Sequence, residues 1–457
     1  VVVGYDARRN SDVFAHDTAR IMAGAGVSAM VLPQALPTPV LAFAIRELGC
    51  AAGVMVTASH NPPDDNGYKV YLGDGSQIVP PADAEISACI AGIGPLASIA
   101  QSDDYRILDG AVLDSYVARA VSLLGAGPRE ASAVYTAMHG VGGGVFMRAV
   151  SAAGFGPPTA VAAQFAPDGS FPTVNFPNPE EPGAMDLSLA DARAQSADVI
   201  IANDPDADRC AAGIPHGGDY RMLTGDEVGA LLGWWIAERG RRDGTPVSGV
   251  YAQSIVSGTL LQCIAADAGL GYATTLTGFK WISKVPDLRF GYEEALGYCC
   301  DPAAVKDKDG ITASLLMLEM VAALKAEGRG PQDVLDDLAR KHGLYATSQL
   351  SVRVSDLSLI ADAMARLRAD PPTALGGREV ARMDDLEKGV DGLPPTDGLR
   401  FSLRDARVII RPSGTEPKLK CYLQVVVPVA DDIAGARSTA QAELEALRTS
   451  VAEALAL

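Results

Sequence analysis

The run Thr57-Ala58-Ser59-His60-Asn61-Pro62 follows the apolar stretch Val54-Met55-Val56, and Pro62 with Pro63 prevents a strand from continuing through it. A hydroxyl is therefore presented at a strand end, where open α/β sheets bind their ligands. Ser59 is a candidate nucleophile and His60 a titratable neighbour, but a serine hydroxyl needs a base, a metal or both. Asp204-Pro205-Asp206-Ala207-Asp208-Arg209 supplies the second half of such a site, with carboxylates at alternate positions of a turn stiffened by Pro205. Hard oxygen ligands at that spacing suit Mg²⁺, which takes few protein ligands and leaves room for a phosphate oxygen. An EF-hand is excluded, because Arg209 and Pro215 stand where Gly and Glu are required. A phosphatase with an aspartate nucleophile and a solvated acidic turn both stay open for this run taken alone.

Arg411-Pro412-Ser413-Gly414-Thr415-Glu416-Pro417 packs a guanidinium, hydroxyls and a permissive glycine into one turn. Those are the donors a phosphate monoester requires. Glu293 and Glu294, read as a loop framed by Gly291 and Gly297, have the carboxylates to accept from sugar hydroxyls, or to form a solvated surface. Lys69, soon after the serine run, is a candidate proton donor or a surface lysine on a strand.

These runs need a frame. The 457 residues, with 47 Gly and 29 Pro, point to several domains. A hydrophobic content of 48% and no apolar run of membrane-spanning length point to a soluble chain. A net charge of −18 disfavours nucleic acid and anionic membranes as partners, so an anionic small substrate must meet a local cationic pocket. Seven scattered cysteines without metal-ligand spacing, among them the vicinal Cys299-Cys300, indicate a reducing, cytoplasmic setting. The opening Val1-Val2-Val3-Gly4 reads as a core strand with no initiator Met, which leads us to expect that some natural N-terminal sequence precedes it.

Strands over 1–4, 29–32 and 51–56 alternate with helices over 13–25 and 40–48, the sign of a mainly parallel, helix-covered sheet. A second unit follows, with a strand over 133–136, a glycine-rich turn at 139–144 and a helix to Ala153; Val145 replaces the third glycine of a dinucleotide fingerprint. A strand over 198–202 leads into the acidic run. Thr224-Gly225-Asp226-Glu227 is a capping box opening a helix over 228–237. The segments 277–281 and 291–295 read as loops after apolar stretches, with a strand over 249–254 and a helix over 312–326. Beyond Leu344, strands over 349–354, 408–411 and 420–427 and a helix over 357–368 describe a smaller α+β domain. No sequence repeat is visible.

Taken in order, the serine, acidic, Gly291-Tyr292-Glu293-Glu294-Ala295 and Arg411–Pro417 runs resemble the α-D-phosphohexomutase superfamily of phosphoglucomutases and phosphomannomutases. The resemblance implies an α/β architecture of four domains around a central cleft: three related α/β domains with mixed sheets (1–125, 126–222 and 223–343) and a C-terminal α+β domain (344–457). It implies that Ser59 carries a phosphoryl group and that Ser59, Asp204, Asp206 and Asp208 hold Mg²⁺. Arg209, His60 and Lys69 would serve catalysis, Glu293 would contact sugar hydroxyls, and Lys280, Arg411, Ser413, Gly414 and Thr415 would bind phosphate. The activity implied is interconversion of hexose 1-phosphate and 6-phosphate of glucose or mannose through a bisphosphorylated sugar, which also serves as activator. The partner would be a phosphosugar, with the enzyme a monomer or homodimer.

Two departures bear on this. The family's N-terminal Gly-Thr-x-Gly-Leu-Arg loop is not present, which leaves one phosphate-binding Arg unaccounted for. Ala295 stands where many hexose mutases have Ser, as in the phosphoglucomutase-2/phosphopentomutase-like branch. The loss of one hydroxyl contact costs about 1 kcal/mol, enough to alter sugar preference but not reaction class. A phosphopentomutase and a glucose-1,6-bisphosphate synthase are therefore alternatives, followed by a sugar-phosphate phosphatase and a catalytically silent phosphosugar binder.

Overall fold

In the computed structural model, which describes residues 1–354, 356–413 and 417–455, the apolar runs of the first three sheets become buried strands because helices pack on them. The first sheet holds β1 (Val2–Tyr5), β2 (Met30–Val31), β3 (Ala52–Val56), β4 (Tyr68–Leu72) and β5 (Arg106–Ile107) in the order β4-β3-β1-β2-β5. β1 is parallel to β2 and β3, and β4 turns back antiparallel to β3. The second sheet holds β6 (Ala133–Thr136), β7 (Thr159–Ala160), β8 (Val199–Ala202), β9 (Ala211–His216) and β10 (Asp219–Met222) in the order β10-β9-β8-β6-β7. Here β6 is parallel to β7 and β8, and β9 is antiparallel to β8. The third holds β11 (Val250–Ser254), β12 (Gly271–Thr275), β13 (Leu288–Glu293) and β14 (Gly297–Cys299) in the order β12-β11-β13-β14, with β14 antiparallel to β13.

One four-strand pattern thus recurs in all three mixed sheets: fourth, third, first, second, with the fourth antiparallel. The turn from third to fourth strand is the equivalent place in each. It carries Ser59 between β3 and β4, the three aspartates between β8 and β9, and Glu294 to Leu296 between β13 and β14. The kinship invisible in the residue order is therefore what sets the chemistry-bearing runs at matching positions.

The chain forms two compact units, the first comprising Val1–Ala252, Ala268–Ala273 and Gly278–Pro331. Within it, the helix Gly310–Ala326 is buried on every side from Gly310 to Leu324, as an all-round apolar helix must be. Asp309 caps it, accepting from the N–H groups of Ile311 and Thr312 at 3.0 Å each. Glu319, on the same helix, accepts from Gly125 N at 2.6 Å, Trp235 Nε1 at 2.8 Å and Arg239 Nη1 at 2.8 Å, so one buried carboxylate ties three segments together. The capping box at Thr224 forms in full, and its helix, Gly225–Arg242, runs past Ala237.

The second unit contains Gln253–Asp267, Thr274–Thr277 and the chain from Gln332 onward. Its sheet has β15 (Leu344–Arg353), β16 (Ala374–Leu375), β17 (Arg378–Asp385), β18 (Leu399–Leu403), β19 (Ala406–Pro412) and β20 (Lys418–Val427) in the order β15-β20-β19-β18-β17-β16. The helices Leu357–Ala369 and Ile433–Leu455 cover one face of it, with Leu447 of the second helix in one core cluster with Phe401, Val408 and Leu423 of the strands. This is the α+β domain expected from the sequence.

Two expectations are corrected. Gly291, Tyr292 and Glu293 are strand, not loop, because Phe290 and Tyr292 are buried and Gly291 pairs with Cys299. Phe279–Ile282 is a short helix, with Phe279 and Ile282 buried against Ala252 and Cys299. Among the described residues no helix is long and apolar enough to cross a membrane.

Candidate active site

The serine turn is held in an unusual conformation. Ser59 has φ 52°, in the left-handed region that a side chain rarely adopts, so its surroundings must offset a strain of roughly 1–3 kcal/mol. Its N–H donates to Thr57 Oγ1 at 2.9 Å. Its hydroxyl donates to Asp204 Oδ2 at 3.0 Å, and His60 Nδ1 lies 3.3 Å from the same hydroxyl. The serine and the acidic run, 145 residues apart, are thus in contact.

Asp204, Asp206 and Asp208 are fully buried, and a carboxylate oxygen from each lies within 4.8 Å of the others. Ala207 at φ 52° lets the turn aim alternate carboxylates to one side. Thr38 anchors it, with Oγ1 donating to Asp206 Oδ2 at 2.6 Å and N donating to Asp206 O at 2.9 Å. Lys69 Nζ donates to Asp206 Oδ2 and Asp208 Oδ2 at 2.6 Å each, Lys308 Nζ is 3.0 Å from Asp208 Oδ2, and Arg209 Nε is 3.7 Å from both Asp204 and Asp208.

Burial and the two neighbouring carboxylates push Asp204 well above the usual carboxylate range. Burial also acts to raise Asp208, but Lys308, Lys69 and Arg209 together bring it below that range. Burial alone would lower Lys69; Asp206, Asp208 and Asp307 outweigh it and hold the ammonium charged. Asp206 Oδ1 and Asp208 Oδ1 are buried with no hydrogen-bond partner. Buried carboxylate oxygens without partners are costly, and a hard divalent cation is the group that fits them.

The third turn joins this centre through Arg209. Its guanidinium donates to Ala295 O, its main chain bridges to Gly297, and Cys210 N donates to Leu296 O at 3.0 Å. Glu293 Oε1 accepts from Gly278 N at 2.6 Å, two residues before Lys280, so the 291–295 run and the 278–282 segment are neighbours. Glu294 is buried, not a solvated surface residue. Lys280 Nζ rests 5.9 Å from the Trp281 ring.

In the second unit Arg411, the penultimate residue of β19, pairs with Lys420, and Ser413 N donates to Lys418 O at 2.9 Å. Gly414 and Thr415 lie outside the described residues.

Sequence reasoning passed over Arg8, Thr38 and Lys308. Lys308 sits in the run Lys306-Asp307-Lys308-Asp309, which has the look of a solvated charge cluster, yet its Nζ lies between Asp208 and Asp307 and 5.4 Å from the Phe279 ring. Arg8 had no motif to mark it.

Three repeats of one mixed sheet, an α+β unit, and a serine hydroxyl against a buried acidic trio define the class: a phosphomutase, an isomerase that shifts a phosphoryl group on its substrate. Family models described as phosphoglucomutase/phosphomannomutase alpha/beta/alpha domains I, II and III and C-terminal domain match residues 1–95, 114–217, 224–342 and 350–431. The chain belongs to the phosphoglucomutase/phosphomannomutase family. It is 49% identical over 430 residues to a protein of Haemophilus influenzae named a probable phosphomannomutase, covering 93% of this chain and 87% of that one. It is 36% identical to a Schizosaccharomyces pombe protein named a probable phosphoribomutase, covering 93% and 78%. A solved chain from Thermus thermophilus, provisionally assigned as a phosphomannomutase, superposes with a TM-score of 0.75 at 26% identity, covering 98% of this chain and 90% of that one.

Proposed function

We propose that the protein is a Mg²⁺-dependent phosphohexomutase that interconverts the 1-phosphate and 6-phosphate of mannose or glucose through a phosphoserine and a bisphosphorylated sugar. The observation that carries this reading is the contact of Ser59 Oγ with Asp204 Oδ2 at 3.0 Å inside a fully buried acidic trio. Asp204, Asp206 and Asp208, with the phosphorylated Ser59, would hold the cation, which neutralises charge on the group in transfer.

The chain's own residues do the rest. Ser59 Oγ gives its phosphoryl group to a hydroxyl of the sugar monophosphate and later receives the other phosphate of the same sugar. Arg209 offers its guanidinium beside the transferring group. Lys69, kept charged by two carboxylates, cannot act as a base and offers a fixed positive charge, which leaves the imidazole of His60 to take the proton of the incoming hydroxyl. Glu293 orients sugar hydroxyls. The family resemblance assigns phosphate binding to Lys280, Arg411, Ser413, Gly414 and Thr415. A sugar 1,6-bisphosphate recharges the serine and so acts as activator. We place the enzyme in the cytoplasm, where its seven unpaired cysteines stay reduced.

Pentose phosphates are the second reading, favoured by Ala295 in the sugar turn and by the phosphoribomutase name of one relative. Phosphorus NMR of mannose, glucose and ribose 1-phosphates, each with Mg²⁺ and a trace of sugar bisphosphate, separates the two. Conversion of a hexose phosphate faster than ribose phosphate supports the proposal. Faster pentose conversion replaces the substrate, and release of inorganic phosphate as main product in place of an isomer refutes the mutase reading.

A further inference from the structure

The serine turn is gripped from below by one buried guanidinium. Arg8 is 3% exposed and donates to four carbonyls of the turn: Nη1 to Pro62 O at 2.6 Å and Asp65 O at 3.2 Å, Nη2 to Ser59 O at 2.6 Å and Asn61 O at 2.6 Å. Its Nε lies 3.3 Å from Asp6 Oδ2, and its plane sits 5.0 Å from the Phe171 ring. Asp6, also buried, accepts from Arg8 N at 3.0 Å and Ser11 Oγ at 2.6 Å, so the carboxylate that aims the guanidinium is itself fixed.

Four carbonyl dipoles directed at one point repel one another unless a cation sits there, and only a planar fork can serve four acceptors at once. The arrangement acts on Ser59 directly. Its N–H is tied to Thr57 Oγ1 and its carbonyl to Arg8, so the two peptide planes flanking the left-handed residue are held. Backbone rotation that would carry Oγ off Asp204 is opposed on both sides.

We propose that Arg8, aimed by Asp6, is a positioning residue for phosphoryl transfer that sets the partition between transfer to sugar and loss to water. The inference rests on Ser59 being the phosphoryl carrier. In either branch the Oγ–P bond breaks, a new P–O bond forms to a sugar hydroxyl or to water, and the nucleophile's proton ends on Oγ. A turn held in one geometry favours the positioned hydroxyl, whereas a loosened turn presents the phosphoryl group to water.

The test charges Arg8→Lys, Asp6→Asn, Ser59→Ala and wild-type enzyme with sugar bisphosphate and follows isomerisation and inorganic phosphate together. Arg8→Lys is expected to lower kcat by about tenfold or more with KM within about twofold, and to raise phosphate released per isomerisation by about tenfold. Asp6→Asn, which keeps the guanidinium and neutralises its partner, is expected to shift the same ratio to a smaller extent, and it decides the matter if Arg8→Lys does not fold. A merely structural role lowers both rates in proportion to the folded fraction measured by circular dichroism. An unchanged ratio in the folded variants therefore overturns the proposal. Isomerisation by Ser59→Ala overturns the carrier reading itself, whereas an inactive Ser59→Ala beside an unaltered ratio in Arg8→Lys sinks only the role of Arg8.

Discussion

Replacing Lys308 by Met tests the charge balance of the acidic centre. Three carboxylates face three cations within 4 Å: Lys69, Arg209 and Lys308. Met keeps an unbranched apolar stem and removes the ammonium that lies 5.4 Å from the Phe279 ring. Asp208 would retain Lys69 and Arg209, and Asp307 would retain its donors Tyr71 OH at 2.6 Å and Gln77 Nε2 at 2.7 Å, so the loss falls at the low end for a broken buried pair, about 3 kcal/mol. Mg²⁺ reverses part of it. Removing a unit positive charge from beside a divalent ion is worth several kcal/mol by Coulomb's law at an effective dielectric of about 20, so the trio should bind Mg²⁺ at least about tenfold more tightly. Linkage then returns about 1.4 kcal/mol or more of the lost stability at Mg²⁺ concentrations that saturate both proteins. Urea unfolding with and without Mg²⁺, and a calorimetric titration of Mg²⁺, measure both quantities. An equal loss in the two conditions, or weaker Mg²⁺ binding in Lys308→Met, would refute the reasoning.

Two other substitutions probe the same unit. Burial raises Asp309 to about 6, above an unfolded carboxylate near about 3.9, so its contribution to stability is fully present below the unfolded value and lost as pH rises through about 6. Asp309→Asn should therefore gain on the wild type by about 2–3 kcal/mol between about pH 4 and pH 7 in urea unfolding, and a constant difference across that window would count against the assignment. At Gly140 an added Cβ would stand 2.3 Å from Pro205 Cα and 2.4 Å from Pro205 O, in the backbone of the acidic turn. Gly140→Ala should weaken Mg²⁺ binding by about tenfold to a hundredfold, as loss of support behind metal ligands does; wild-type affinity in a Mg²⁺ titration would contradict this.

What was legible in the residue order follows from what the chemistry demands. A serine at a strand end and aspartates at alternate positions announce themselves because each function is packed into one turn. The neighbours that hold those turns do not. Arg8 acts on carbonyls 51 to 57 residues away, which carry no side-chain identity to read. Lys308 looks solvated until the helix Gly310–Ala326 buries the segment before it. Gly291 misled in the other direction, read as a loop marker when its missing Cβ, which would stand 2.4 Å from Ile282 Cγ2, allows the short helix to pack on β13. The threefold recurrence of the sheet lies in strand order and direction, and strands as short as Met30–Val31 and Thr159–Ala160 leave too little pattern to align. In the second unit β16, β17 and β18 were overlooked; the half-exposed positions of β17 give no clean alternation.

The central claim is that the serine turn and the acidic turn, equivalent places in two related sheets, form one phosphoryl-transfer centre. Mass spectrometry of the protein incubated with glucose 1,6-bisphosphate and Mg²⁺ addresses it without relying on turnover. The account predicts a single phosphoryl group on the peptide containing Ser59, removed on addition of a sugar monophosphate and not acquired by the Asp206→Asn variant. Phosphate on another residue, or equally fast charging of Ser59 in Asp206→Asn, would contradict it.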